Sequence, residues 1–114
     1  MKYIDLFEMA NLGKKITGLP LIVYISTETR VKHIPRLKVM KNNADHFDPN
    51  NMFSVFIKLD ITQDDIVGYS NLPTNILLVL KNFININYHT LILYWNNQIT
   101  TKRMKNSIKS INKI

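Results

Sequence analysis

Arg30-Val31-Lys32-His33-Ile34-Pro35-Arg36-Leu37-Lys38-Val39-Met40 is the stretch on which the reading of this chain turns. Taken every second residue, it separates into Arg30, Lys32, Ile34, Arg36 and Lys38 on one side and Val31, His33, Pro35, Leu37 and Val39 on the other. Period-two alternation of this kind marks a strand with one face in a core and the other in water. Same-face neighbours stand about 6.6 Å apart, from a rise of about 3.3 Å per residue. The four cations therefore form a row suited to successive phosphates of a nucleic-acid backbone. Pro35 has no N–H to give to a ladder and predicts that the strand lies at a sheet edge. Cations on an edge also block edge-to-edge aggregation. Polyanion contact and edge protection both stand at this point.

Working outward, Leu21 to Thr27 (LIVYIST) is β-branched and aromatic and reads as a buried strand. Glu28-Thr29 turns the chain into the quoted strand, and Lys41 to Asn51 is a polar loop. Met52 to Leu59 is a third strand, with Phe53, Val55, Ile57 and Leu59 alternating onto one face. Residues 3 to 12 read as a short helix with Tyr3, Leu6, Phe7 and Ala10 on one side and Gly13 as its stop, followed by a loop from Lys14 to Pro20. Asp60 to Leu72 fits either an extension of the third strand or one helical turn.

Pro73-Thr74 opens a helix with Thr74 as N-cap and Ile76, Leu77, Leu80, Phe83 and Ile84 as its apolar stripe. A second helix is expected from Tyr88, on Tyr88, Leu91, Ile92, Trp95 and Ile99, with Trp95 in the core. A third starts at Thr100, with Met104, Ile108 and Ile111 on one side. These elements predict an α+β fold: a small antiparallel sheet of about three strands, covered by an N-terminal helix and two or three C-terminal helices. The expected organisation is one globular domain over 1–99 and a basic helical tail over 100–114 whose removal leaves the fold intact.

Charge is distributed unevenly. All eight acids lie within the first 65 residues, against nine cations there; the last 49 residues carry Lys81, Lys102, Arg103, Lys105, Lys109 and Lys113 and no acid, and the total is +7. A one-signed segment attracts polyanions over roughly 8 Å at physiological salt. With no cysteine, disulfides, thiolate zinc sites and cysteine nucleophiles are excluded, which suits a reducing cytoplasm. The start, Met1-Lys2-Tyr3-Ile4-Asp5, carries an acid too early for a secretory signal. The apolar run Ile76–Leu80 is stopped by Lys81, far short of the ~20 residues of a membrane span.

No glycine-rich phosphate loop, HExxH or GxSxG pattern is present, and three glycines leave little material for a phosphate cradle. His46-Phe47-Asp48 has the residue types of a metal pair or an oriented general base, and His33 shares the apolar face of its strand. His89 is expected to pack at the start of a helix. Tyr24, Tyr69, Tyr88, Tyr94 and Trp95 are candidates for base stacking, of which Tyr69 and Tyr94 are the informative ones if exposed.

His33-Ile34-Pro35-Arg36-Leu37-Lys38-Val39 resembles the His-x-Pro-His-Phe-His-Val strand of a bacterial family of small domains of unknown function, often encoded in toxin–antitoxin-like pairs. Ile76 to Asn96, closing on Tyr94-Trp95-Asn96, is similar to that family's two C-terminal helices. The resemblance spans about half the chain and implies an α+β domain in a mobile-element or defence context. Arg36 and Lys38 stand where the family has histidines. Histidine chemistry is therefore not carried over, and the cationic face of the strand is strengthened.

The expectation is a non-enzymatic basic binding protein of phage or mobile-element origin, cytoplasmic in a bacterial host, without cofactor, metal or membrane partner. The dominance of Asn, Ile and Lys, whose codons are rich in A and T, fits such a source. It would engage a nucleic acid, or the nucleic-acid-binding surface of a host defence nucleoprotein in the anti-CRISPR manner. Arg30, Lys32, Arg36, Lys38, Lys102, Arg103, Lys105, Lys109 and Lys113 would make the contact. Two rivals remain: a toxin-like ribonuclease using His33 or His46, with a neighbouring cation on the developing charge, and a structural or oligomerisation module.

Overall fold

A computed structural model describes residues 9–27, 34–42 and 48–111. Five short strands succeed one another as a meander: β1 (Ala10–Leu12), β2 (Val23–Ile25), β3 (Arg36–Met40), β4 (Met52–Phe56) and β5 (Ile66–Val67), each antiparallel to the next. The class is the expected α+β, but the sheet has five strands where about three were expected. Three residues of β1 and two of β5 are too few for alternation to stand out in the sequence.

Cross-strand register sorts the side chains into two layers. Leu12, Val23, Val39 and Phe53 face inward in one row and Ala10, Ile25, Leu37, Val55 and Ile66 in the next. All but the half-buried Ile66 are sealed from solvent. The opposite face carries Asn11, Tyr24, Lys38, Ser54 and Val67 in a single row, flanked by Arg36–Phe56 and Met40–Met52.

Two local expectations are corrected. Residues 10–12, placed in a helix from the sequence, pair with β2 as a strand; Tyr3, Leu6 and Phe7 lie outside the described residues. Gly13 does not end a helix but opens one: the expected loop contains a helical turn, α1 (Lys14–Thr17), closed by Gly18 at φ 76 with its N–H donating to the Lys14 carbonyl. The ambiguous stretch after Asp60 holds a short 3-10 turn, Gln63–Asp65. It is capped reciprocally by Thr62 and Asp65 and followed by β5.

The two helices expected over 73–99 are one, α2 (Thr74–Trp95). No glycine or proline interrupts it, and Leu80, Phe83, Ile84, Asn87, Leu91, Tyr94 and Trp95 keep one face against the core for four turns. Its N-cap is Pro73 rather than Thr74, without a side-chain cap. It ends at Asn97, whose φ of 61 lets the Gln98 N–H reach back to the Leu93 carbonyl at 2.9 Å. By length and apolarity alone this 22-residue helix could cross a bilayer; here its buried face closes the sheet.

A last helix, α3 (Thr101–Ser107), is capped by the Thr100 hydroxyl, which accepts from the Arg103 N–H at 3.1 Å. The segment expected as a separable tail is packed into the core. Met104 is fully buried, and Ile108 and Ile111 lie against the same cluster. Asn87, itself 2% exposed, accepts from the Lys109 N–H at 2.8 Å and donates to the Lys109 carbonyl at 2.9 Å. Tyr94 Oη and Thr101 Oγ1 are 2.9 Å apart. Gln63 holds the Leu72 backbone through both its amide atoms, while Asn85 accepts from the N–H of Asp60, at φ 55, and donates to the Asp60 carboxylate. Side-chain amides thus replace backbone ladders where the chain leaves regular structure.

Candidate nucleic-acid interface

β3 has the parity expected of it. Leu37 and Val39 are sealed in the core, while Arg36 and Lys38 stand half-buried on the opposite face. It is not an edge strand. It lies in the middle of the five, between β2 and β4. Pro35 is compatible with this because it precedes the ladder: no N–H is needed from it there, and its carbonyl accepts from the Ile57 N–H at 2.9 Å. Arg36 and Lys38 are therefore not edge protection, since there is no edge beside them to protect.

The surroundings of this pair determine its chemistry. Tyr24 and Ser54 lie directly opposite Lys38 on either side, about 5 Å away at Cβ. Both are buried. Burial, and secondarily the Arg36 charge, pull the Lys38 pKa below the ordinary lysine value. Burial pushes the Tyr24 phenol the other way, upward. Arg36 is held by a hydrogen bond from Nε to the Ile34 carbonyl at 3.2 Å, which leaves its guanidinium carbon 6.0 Å from the centre of the Phe56 ring. Phe56 is also directly opposite Arg36 across the β3–β4 ladder.

Among the described residues no carboxylate balances these two charges. The salt bridge among them joins Lys58 Nζ to Asp65 Oδ1 at 3.3 Å, and no hydrogen bond joins the Lys38 side chain to another described residue. Two like charges on neighbouring same-face positions, one of them partly desolvated and neither paired with a described carboxylate, raise the energy of the free protein. An anion laid across them relieves both terms.

The remaining candidates are placed elsewhere. Lys102, Arg103 and Lys109 are exposed and Lys105 is half-buried, all on the segment that packs beside α2. They stand on the helical side of the sheet, away from Arg36 and Lys38. Arg30, Lys32, Lys113, His33 and His46 lie outside the described residues. His89 is exposed in the middle of α2 rather than packed at a helix start. Among the described residues no group of three potential metal ligands converges.

Trp95 and Tyr94 are core residues, 4% and 3% exposed, and so are not available for stacking. Tyr69 packs edge-on against Phe53 with ring centres 5.3 Å apart, under Lys41 at 6.0 Å. These two line an open groove of about 860 Å³ with Gln63, Gly68, Ser70 and Asn71. Two of the amides that line it are already engaged, Gln63 with Leu72 and Asn42 with Asn51.

Two members of the cationic face were not singled out from the sequence, Phe56 and Ser54. The signal was present: if Phe53, Val55 and Ile57 turn inward, Phe56 is an aromatic on the polar side of its strand. Comparison with family models, with curated proteins and with solved structures finds no match to this chain.

Proposed function

We propose that this protein is a non-enzymatic binding protein that holds a nucleic acid on the sheet face opposite α2, with Arg36 and Lys38 as its central phosphate contacts. The observation that carries this reading is the partly desolvated cation pair on the middle strand, which no described carboxylate neutralises. Solvated surface lysines need no counter-ion, but a cation withdrawn from water beside another cation does. The sign of the charge also chooses between the expected partners. A host protein's own nucleic-acid-binding groove is cationic and repels a chain of net charge +7, so the nucleic-acid component of a nucleoprotein is the favoured target. An origin in a phage or mobile element, and action in the cytoplasm of a bacterial host, fit the composition.

The test is charge reversal, Arg36→Glu with Lys38→Glu, read by fluorescence anisotropy on labelled oligonucleotides across a salt series. Loss of most affinity with a retained circular-dichroism spectrum supports the assignment. Undiminished binding by a folded double variant rejects it and moves the contact to the helical side.

A further inference from the structure

We infer that a second copy of this chain covers the outward face of α2, the two helices lying antiparallel about a twofold axis in a weak, reversible dimer. The face is unusual in what it lacks. Of the 22 residues of α2, one, Lys81, has a charged side chain, in a chain that is 20% charged. The solvent side of a surface helix ordinarily carries charges opposite its apolar stripe. Here it carries Asn75, Leu78, Asn82, His89, Leu93 and Asn96, all exposed but the half-buried Leu93. At about 100° per residue these positions fall within about 40° of the direction opposite the buried Leu80 and Leu91. Leu78 is 52% exposed, and Ile86 beside the stripe is 37% exposed.

The order of this stripe reads the same in both directions. Steps of three, four, seven, four and three residues separate its members. Mirror-related positions match in chemistry: Asn75 with Asn96, Leu78 with Leu93 and Asn82 with His89, with Ile86 at the midpoint. In a twofold contact residue i meets j and j meets i. Two such helices laid antiparallel therefore bring leucine to leucine, and amide to amide or imidazole. An amide and a neutral imidazole each hold a donor and an acceptor, so these polar pairs satisfy one another. Polar residues in a helix seam fix its register at a cost in stability. A parallel pair would match any sequence to itself and has no use for mirror order. It would also align the helix dipoles and set Lys81 beside its copy, whereas the antiparallel pair opposes the dipoles and separates the lysines by about 14 Å along the axis.

Charge selects the same occupant. This face offers nothing to steer an acidic protein or an anionic membrane, and two chains of net charge +7 can meet on it without opposing cations. Area sets the strength. A helix about 33 Å long and about 10 Å across presents a strip of about 330 Å², against about 800 Å² per partner in a standard interface, so the dimer dissociates on dilution. The inference does not rest on the nucleic-acid reading, since Arg36 and Lys38 stand on the opposite side of the sheet.

The experiment is sedimentation velocity on the full chain, free of nucleic acid, at low and high salt and from about 5 to 500 μM, the range of a weak interface. Wild-type protein is expected to pass from monomer to twice the chain mass of 13.3 kDa, more readily at high salt, where the like net charges are screened. Leu78→Glu and Leu93→Arg, each introduced twice by the symmetry, should each weaken association about 100-fold or more. An equimolar mixture of the two variants should restore it. An antiparallel pair then joins the introduced carboxylate to the introduced guanidinium at one contact and leucine to leucine at the other. Wild-type circular-dichroism spectra for both variants, together with that rescue, exclude misfolding. A chain monomeric throughout, a dimer indifferent to Leu78→Glu, or a mixture that stays monomeric overturns the inference. So does binding to phosphatidylcholine vesicles that Leu78→Glu abolishes, in a protein that does not self-associate, since the occupant is then lipid.

Discussion

Lys38→Met removes one charge from the cationic face and keeps the apolar stem that covers the sheet. The repulsion it relieves can be worked from the ladder. Same-face neighbours on β3 are about 6.6 Å apart, and two like charges at that distance repel by about 0.6 kcal/mol in bulk water and about 2.5 kcal/mol at an effective dielectric of 20. Arg36 and Lys38 are both half-buried, so the value lies between these limits. After discounting for solvent screening it is about 1 kcal/mol. Lys38→Met should therefore stabilise the fold by about 1 kcal/mol, or roughly 4 °C in melting temperature for a chain of this size. The same change should weaken nucleic-acid binding and flatten the slope of log K against log[salt] by about 0.7, one single-strand phosphate contact. Stability gained where function is lost marks a site kept for a ligand. The assays are urea or thermal denaturation and oligonucleotide anisotropy on the same preparation. A clear drop in melting temperature, or unchanged affinity, would refute the view that Lys38 is an uncompensated charge held for an anion.

The remaining predictions concern pH, salt and packing. Because the folded-state pKa of Lys38 lies below its ordinary 10.5, the unfolded chain holds the proton more tightly, so this group's contribution to stability rises with pH through that window. Affinity for an anion should fall across the same window; Tyr24, shifted upward, opposes the stability trend only above 10.0, and affinity that is flat to pH 10 would argue against a Lys38 contact. The wild-type salt slope should lie near −1.4, two single-strand phosphates at about 0.7 each, because the α3 cations face elsewhere; a slope of −3 or steeper would show that they bind too. Truncation after residue 99 should unfold the protein, and Met104→Ala should cost about 2–5 kcal/mol by denaturant titration. Asn87→Ala should cost about 2–4 kcal/mol by stranding the Lys109 backbone groups, and a change below 0.5 would show that the clamp is dispensable. Trp95→Ala should cost about 3–5 kcal/mol. Trp95→Phe should be much milder, because the buried Nε1 donor has no partner to lose.

The amino-acid sequence alone determined which side of β3 and of β4 faces the core. Val39 follows Lys38 and precedes Met40 in a pattern that needs no distant partner to interpret, because side chains alternate along any extended chain. The same local logic identified the helical stretch from residue 74, a helical segment after Thr100 and the burial of Trp95. Only the tertiary structure decided what lies beside these elements. Pro35 suggested an edge, yet β3 is central, because the rank of a strand depends on pairing with β2 and β4 and not on its own residues. The clamp from Asn87 to Lys109 joins positions 22 apart through an amide that carries no local signature in an asparagine-rich chain. That clamp is why residues 100–111 belong to the fold. The four-cation row read from the sequence is reduced, within the described residues, to Arg36 and Lys38, and their neighbours Tyr24, Ser54 and Phe56 come from other strands. Charge is written in the sequence residue by residue. Whether a charge is solvated, paired or withheld from water is set by groups that folding brings from elsewhere.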